Sequence, residues 1–420
     1  MPRSLRRRRV SRARGPRCDR GDDGAVGPAR RLRAAPRRQE KVPRGVRRSG
    51  DRAHALSPVS MTTENPRGAA PLSSDHRERL ASIDMVKGWA ILGVTLIHSW
   101  VLADSRWMTF LFYHAVPVFL VLFGLNSESW FRRQPPAGRM RLWYRRGLKR
   151  ILVPAWATAA VWWVMVAILQ PPEPMVRITL GLPFWHFIGY LNQIGTSWFV
   201  TLIVQFVVVF PLFHWLARRF GPHVFFAICF VVTLWTLIFV HPLRQWLGIP
   251  GWLVFPPRFF VHVAFGMLLV GRVSRIGVRG LIVSCACLAL GYVIQERIWL
   301  GSFWRVADRF LELPLTVVLL WVMSRLEWIG WLERGLSWLG QHSFGLYLGQ
   351  MLTHNAFLYR YGGTCDLFHC YEGVFEKFNL WVYTGILIVG SIAWVLIGNK
   401  ILEWNETLRA RGYRLPNLAV

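Results

Sequence analysis

The chain has 420 residues, of which 53% are hydrophobic, and it carries 51 Lys and Arg against 22 Asp and Glu, a formal net charge of +29. The hydrophobic total alone excludes little, because soluble domains are also close to half apolar. The distribution excludes a soluble globular protein: apolar runs of about 18–22 residues, long enough to cross a bilayer core, recur from residue 84 onward. We therefore predict an all-α, polytopic membrane protein embedded in a lipid bilayer.

The first 60 residues have a different composition from the rest. They hold 19 Lys and Arg against 5 Asp and Glu, and the stretch "RRRRVSRARGPR" shows neither apolar periodicity nor a hydrophobic signal segment. They are interpreted either as a basic arm for anionic lipid or nucleic acid, or as sequence upstream of a translation start at Met61. We favour the second interpretation and expect no nucleic-acid partner. The predicted organisation is a basic, disordered tail (1–78), a membrane domain (79–403) and a short C-terminal tail (404–420).

Apolar runs flanked by Trp predict about ten transmembrane helices in the membrane domain. The predicted spans are residues 85–103, 108–126, 151–170, 198–217, 223–240, 252–271, 280–295, 310–323, 337–358 and 380–401. With the N-terminus inside, 19 Lys and Arg fall in or next to the inner connections after the first span, and 8 in the outer ones. This positive-inside bias predicts a protein of the cell membrane with both termini in the cytoplasm.

The first predicted span, "DMVKGWAILGVTLIHSW", contains three ionisable residues, Asp84, Lys87 and His98. Lys87 and His98 are eleven residues apart, so a helix places them within about 20° of one another and about 16 Å apart along its axis. Asp84 lies on nearly the same face, where it can pair with Lys87. Because ionisable groups are costly in a membrane, they usually face a bundle interior or a wet cavity and indicate function. Snorkelling alone would explain Lys87, but His98 is too deep for it.

At these residues the chain resembles the membrane acyltransferase-3 family. The pattern "D-x-x-K-G-x-A-I" followed by His98 is similar to the family's first span, in which ten residues separate an Arg or Lys from a His. Four later stretches are similar to family patterns and occur in the same order: "VPVFLVLFG", "RRGLKRILVP", "SWF" and "LGQHSFGLYLGQ". Three positions depart from the family's patterns. Phe123 replaces a usual Ser, Gly147 interrupts paired Arg residues, and Gln350 stands where His is usual.

The resemblance implies transfer of an acyl group from cytoplasmic acyl-CoA to a hydroxyl, often on an envelope carbohydrate or another glycoside outside. The residue chemistry agrees, because a neutral imidazole such as that of His98 can take the proton of an alcohol near pH 7. Lys87 would orient the donor, with Asp84 as its partner. The phosphates of CoA need cations, and a cluster at the start of the third span is suitable. Its members are Arg145, Arg146, Lys149 and Arg150. Positive-inside topology alone also explains them.

Other polar residues inside predicted spans are candidates for the substrate path. Arg258 and His262 are four residues apart, and Ser343, Tyr347 and Gln350 share one helical face in the ninth span. The alternatives are a snorkelling Arg258 and ordinary hydrogen bonds between helices for the other group.

No metal site is predicted. Cys365 and Cys370 lie close together in the loop "CDLFHC" without the usual zinc spacing, and we expect them to form an extracytoplasmic disulfide.

Two other classes of protein remain alternatives to an enzyme. In a transporter or proton-coupled permease, Lys87 and His98 would form a proton relay. In a non-catalytic protein of envelope assembly, the departures at Phe123 and Gln350 would need no compensation. If the chain is an acyltransferase, the sequence leaves open whether the acyl group passes directly to the acceptor or rests transiently on His98.

Overall fold

A computed structural model of the protein describes residues 74–99, 101, 105–169, 198–247, 255–297, 310–326, 329–361 and 379–410. The chain divides into two units, Met1–Ala69 and Ala70–Val420, and every described residue belongs to the second. The predicted loop with Cys365 and Cys370 lies outside the described residues, as do the predicted tail's residues 1–73.

The described residues form helices and contain no strand, which confirms the predicted all-α class. The α-helices are α1 (Ser74–His98), α2 (Arg106–Tyr113), α3 (Ala115–Arg133), α4 (Arg139–Leu169), α5 (Trp198–Phe220), α6 (Pro222–Leu247), α7 (Phe260–Leu269), α8 (Val278–Arg297), α9 (Glu312–Leu326), α10 (Gly330–Gln341), α11 (Ser343–Tyr361) and α12 (Leu380–Ala410). Two short 3₁₀ helices, Pro256–Phe259 and Val273–Arg275, flank α7.

Four helical segments in the described part of the chain are long and apolar enough to cross a membrane. They are Trp107–Arg133, Trp198–Phe220, Pro222–Phe239 and Leu380–Ala410, and two shorter apolar segments are Pro256–Leu269 and Val278–Ile294. The structure therefore supports a membrane protein, while the count of ten spans stays a prediction.

Two helices have bounds that differ from the predicted spans. α4 begins at Arg139 rather than at residue 151, so the basic cluster lies on a helix and not in a loop. The predicted ninth span is divided at His342, where α10 ends and α11 begins. The imidazole Nδ1 of His342 lies 2.9 Å from the carbonyl oxygen of Trp338, which also accepts the backbone N–H of His342 at 3.1 Å.

Glycines allow two helix pairs to approach closely. A side chain at Gly88 of α1 would meet the backbone carbonyl of Leu336, and one at Gly340 of α10 would meet that of Asp84. Gly124 of α3 is similarly close to the backbone of α7. Small residues of this kind are typical of helix contacts in membranes, where close van der Waals packing replaces the hydrophobic effect. α1 is therefore held firmly against α10, and α3 against α7.

A buried hydrogen bond joins α3 to α5. Glu128 accepts a 2.8 Å hydrogen bond from Arg132, and its other oxygen lies 2.7 Å from Nδ1 of His214. Glu128 and His214 are both almost fully buried. His214, which the sequence places at a helix end, therefore packs inside the bundle, where a partner offsets the cost of burying its polar ring.

Candidate active site

Lys87 and Asp84 form an ion pair on α1. The ammonium lies 2.7 Å from a carboxylate oxygen of Asp84, and the two side chains remain 23% and 21% exposed. The pairing predicted from their spacing is therefore present. The pair lies at the close contact between α1 and α10, where the carbonyl of Asp84 meets Gly340 and Gly88 meets the carbonyl of Leu336.

His98 is the last residue of α1 and is partly buried. Its Nδ1 lies 2.9 Å from the carboxamide nitrogen of Gln350 on α11. On the same helix, the ring of His354 lies 6.3 Å from that of His98, and His354 is in turn hydrogen-bonded to the hydroxyl of Tyr383. The structure thus joins His98 to Gln350, two residues that the sequence singled out separately.

Sequence reasoning missed His354 and Tyr383. One signal was available, since His354 follows Gln350 by four residues and therefore lies on the same face of a helix. Nothing in the sequence indicates that Tyr383, on another helix, is the partner of His354.

A cavity of about 710 Å³ lies among α1, α3, α4, α5, α10 and α11. Four cations line it: Lys87, Arg133, Arg146 and Arg150. Three of them were predicted from the sequence, and Arg133, at the end of α3, was not assigned to the site. Ser343 and Tyr347 also line the cavity, and their place on a substrate path stays a prediction.

The rest of the cavity wall is mainly aromatic and aliphatic. The aromatic residues are Phe119, Phe123, Trp130, Trp143, Phe199, Phe344 and Tyr347, and the polar residues Asn126 and Ser127 lie among them. Phe123 is part of the aromatic packing, with ring centroids 5.6 Å from Phe210 and 6.3 Å from Trp143. The aromatic ring of Phe123, where the chain departs from the family pattern, therefore narrows the cavity.

α4 is fixed to α5 by side-chain hydrogen bonds to backbone carbonyls. Pro211 has no N–H, so the carbonyl of Val207 lacks its usual partner within α5. The indole of Trp143 donates to this carbonyl at 2.8 Å. Gly147 contributes as well, because a Cβ there would lie 3.0 Å from a methyl group of Val207. These contacts set the position of the helix that carries Arg146 and Arg150.

α1 connects the cavity to His98. Lys87, Ile91 and Val94 line the cavity along successive turns of the helix, and His98 lies one turn beyond Val94. His98 is not itself among the lining residues. The Gln350 carboxamide, next to His98, also lies 3.5 Å from the carbonyl of Val94. The residues of α1 that line the cavity and the imidazole of His98 therefore follow one another along the same helix.

Seven predicted site residues do not line the cavity. Asp84, His98 and Gln350 are described above, and the others are Arg145, Lys149, Arg258 and His262. Arg145 is exposed and Lys149 partly buried on α4. Arg258 and His262 are almost fully buried. His262 contacts one carboxylate oxygen of Glu312, and His114 lies 3.4 Å from the other. The structure thus places His262 beside a carboxylate that sequence reasoning did not connect to it.

Among the described residues, no group of three or more His, Cys, Asp or Glu side chains is arranged to hold a metal ion. The residues suited to a cofactor or cosubstrate are those of the cavity. Guanidinium groups bind phosphates through paired N–H donors, and aromatic walls accept apolar or planar groups.

The fold and cavity define a helical membrane protein with a cationic, aromatic-lined cavity suited to an anionic ligand. Residues 80–400 match the acyltransferase-3 family, described as an acyltransferase domain, and the chain belongs to this family. The resemblance noted in the sequence is thereby confirmed, and the protein is a membrane acyltransferase. A comparison with curated proteins and one with solved structures found no match.

Proposed function

We propose that the protein is an integral membrane O-acyltransferase that moves an acyl group, acetyl or similar, from acyl-CoA to a hydroxyl of an envelope carbohydrate or a glycosylated small molecule. The observation that carries this proposal is the composition of the cavity, which combines four cations with an aromatic and aliphatic wall. CoA combines several phosphates with a long, flexible arm that ends in the thioester. The cations suit its phosphates, and the apolar wall suits the arm and the acyl group.

The proposed donor side is the cytoplasm. Arg133, Arg146 and Arg150 belong to the basic ends of α3 and α4, which the positive-inside rule places in the cytoplasm of a multi-pass protein with cytoplasmic termini. His98, about three turns beyond Lys87 at the C-terminal end of α1, would then meet an acceptor that arrives from the other side.

In the proposed reaction, His98 removes the proton of the acceptor hydroxyl while the hydroxyl oxygen attacks the thioester carbonyl. The C–S bond breaks, the CoA thiolate leaves, and the proton held by His98 restores the thiol. Lys87, kept in place by Asp84, orients the donor along α1. The same residues serve a two-step route in which His98 carries the acyl group before the hydroxyl attacks.

Acyl transfer by the purified protein tests this proposal. Radiolabelled acetyl-CoA is supplied to the protein in detergent together with a panel of methyl glycosides, and label in the sugar is measured alongside free CoA. His98→Ala should lower the rate by about 10²–10⁴-fold, the usual contribution of a general base. His223→Ala, at an exposed imidazole on α6, is the matched control and should retain the parent's activity.

The outcome separates the three classes of protein. Activity of His98→Ala within threefold of the parent would remove the general base from the proposal. Solute movement across vesicles without acetyl-CoA consumption would indicate a transporter, and neither activity would indicate a non-catalytic envelope protein. Comparison of envelope sugars and secreted metabolites between parent and deletion strains would identify the acceptor.

A further inference from the structure

Three polar side chains meet at the outer end of α1: Thr95, His98 and Gln350. Gln350 is 1% exposed and Thr95 is 7% exposed, so water competes little for their hydrogen bonds. The carboxamide nitrogen of Gln350 lies 2.9 Å from Nδ1 of His98, and its oxygen lies 3.2 Å from the hydroxyl of Thr95. That hydroxyl also lies 3.0 Å from the backbone carbonyl of Ile91.

A carboxamide presents nitrogen and oxygen with nearly the same shape, so hydrogen-bond partners decide its orientation. With nitrogen towards His98, Nδ1 must accept, and the neutral ring then carries its proton on Nε2. The single proton of Thr95 would also have two acceptors, the carbonyl of Ile91 and the oxygen of Gln350. One acceptor is left without a full hydrogen bond.

The orientation turned by 180° removes this conflict. The amide nitrogen then donates to the Thr95 hydroxyl, whose own proton goes to the carbonyl of Ile91. The carboxamide oxygen accepts the Nδ1–H of His98. The cost is one oxygen–oxygen approach to the carbonyl of Val94, at the 3.5 Å now separating that carbonyl from the amide nitrogen. This contact is at the outer limit of hydrogen-bond distance, so the cost is small compared with an unsatisfied buried group.

We propose that Gln350 is the positioning residue of the site. The carboxamide oxygen of Gln350 accepts the Nδ1–H of His98, and the carboxamide nitrogen of Gln350 donates to the hydroxyl of Thr95. Nε2 of His98 then carries the lone pair that a general base requires. The role is the one that a buried acceptor plays behind a catalytic imidazole, where it fixes both ring orientation and tautomer. A carboxamide does not titrate, so Gln350 keeps this function at any working pH.

The other ionisable group that faces His98 in the described structure is His354, also on α11, with its ring 6.3 Å away and hydrogen-bonded to Tyr383. Lys87 and Asp84 lie about three and about four turns earlier on α1. Gln350 is therefore the side chain placed to select the tautomer of His98, and the inference rests on the proposed role of His98 as base.

The tautomer is measured directly by NMR on protein labelled with 15N-histidine, with the His98 signals assigned by their loss in His98→Ala. A protonated Nδ1 and an unprotonated Nε2 are expected, and the reverse pattern in the parent protein would overturn the proposal. Gln350→Leu should remove the preference for the Nδ1-protonated form. This readout needs no substrate, and a merely structural role for Gln350 would not produce it.

Kinetics with acetyl-CoA and methyl glycosides provide a second readout. Gln350→Leu should lower kcat by about 10–100-fold, as for other residues that orient a catalytic imidazole, with the KM for acetyl-CoA within twofold of the parent. Gln350→Glu keeps an acceptor for Nδ1–H and should restore kcat to within tenfold of the parent. The acid limb of the pH dependence of kcat should move to higher pH in Gln350→Glu, because a carboxylate stabilises the imidazolium.

Thr95→Val and Thr353→Val complete the set. Thr95→Val frees the amide of Gln350 and should lower kcat about 3–10-fold. Thr353→Val is the matched control on α11, because the Thr353 hydroxyl donates to the carbonyl of Gly349, and it should retain kcat within twofold. If Gln350→Leu does not fold, Gln350→Glu and Thr95→Val still test the positioning role of Gln350.

Failures of the two proposals are distinguishable. Inactive His98→Ala with Gln350→Leu at the parent's kcat would overturn the positioning role and leave His98 as base. Full activity of His98→Ala would remove His98 as general base and with it the positioning role of Gln350, whereas absence of acetyl transfer by the parent protein would overturn the proposed function itself.

Discussion

Loss of the cavity guanidinium groups should weaken acyl-CoA binding more than loss of a neighbouring exposed one. Arg146 and Arg150 line the cavity, whereas Arg141, four residues before the start of the cluster on α4, is exposed and does not line it. Arg146→Gln and Arg141→Gln each remove one positive charge from α4. Their effects on membrane topology are therefore matched, and the difference between them reports on the ligand.

The expected loss of binding free energy depends on how exposed the two guanidinium groups are. A fully desolvated, charge-assisted hydrogen bond contributes about 1.5–3 kcal/mol. Arg146 and Arg150 are exposed in the ligand-free cavity, so about 0.5–1 kcal/mol per phosphate contact is a more suitable value. The double variant Arg146→Gln/Arg150→Gln should then lose about 1–2 kcal/mol, or roughly 5–30-fold in Kd for CoA. At 1 M salt, where the screening length is about 3 Å, most of the difference should vanish.

Isothermal titration of detergent-purified variants with CoA measures these affinities. Pantetheine, which lacks the nucleotide phosphates, should bind parent and double variant equally. Equal losses in Arg141→Gln and Arg146→Gln, or an unchanged Kd in the double variant, would refute the assignment of these guanidinium groups to the donor and leave them a topological role.

Three further predictions concern the donor side, the scaffold and the outer loop. Lys87→Arg should retain more acetyl-transfer activity than Lys87→Ala, since the position supplies a cation to the cavity; equal rates would contradict this. Trp143→Phe should lower the free energy of unfolding by about 1–3 kcal/mol, because it leaves the Val207 carbonyl without a donor, and thermal melts in detergent measure it. Cys365 and Cys370 should react with a membrane-impermeant thiol reagent on intact cells only after reduction, because the loop is predicted outside and disulfide-bonded; labelling before reduction would exclude the bond.

The sequence predicted best where one helix carries the whole pattern. Asp84 and Lys87 are three residues apart, and their ion pair follows from helix geometry alone. The positions of Lys87 and His98 along α1 follow equally from a rise of about 1.5 Å per residue. The basic start of α4 was also predictable as a cluster, since consecutive charges need no tertiary information.

Prediction failed where rotation between helices decides. The sequence grouped Arg145 with Arg146, but of these two only Arg146 lines the cavity. The hydrogen bond from Trp143 of α4 to the Val207 carbonyl of α5 sets which face of α4 turns to the bundle. Likewise, His262 was a polar residue in an apolar run, and only the packing of α7 against α9 shows that its partner is Glu312.

The departures from the family pattern acquire a common physical explanation from the packing. Gly147 leaves room for Val207, so a longer side chain there would push α4 away from α5 and shift the guanidinium groups that line the cavity. Phe123 fills the cavity wall among aromatic neighbours, where a small hydroxyl side chain would leave a gap. Gln350 supplies one donor and one acceptor to Thr95 and His98, and a carboxamide satisfies both without carrying charge. Each residue suits the neighbours it has in this chain, so none of the three departures argues against the proposed chemistry.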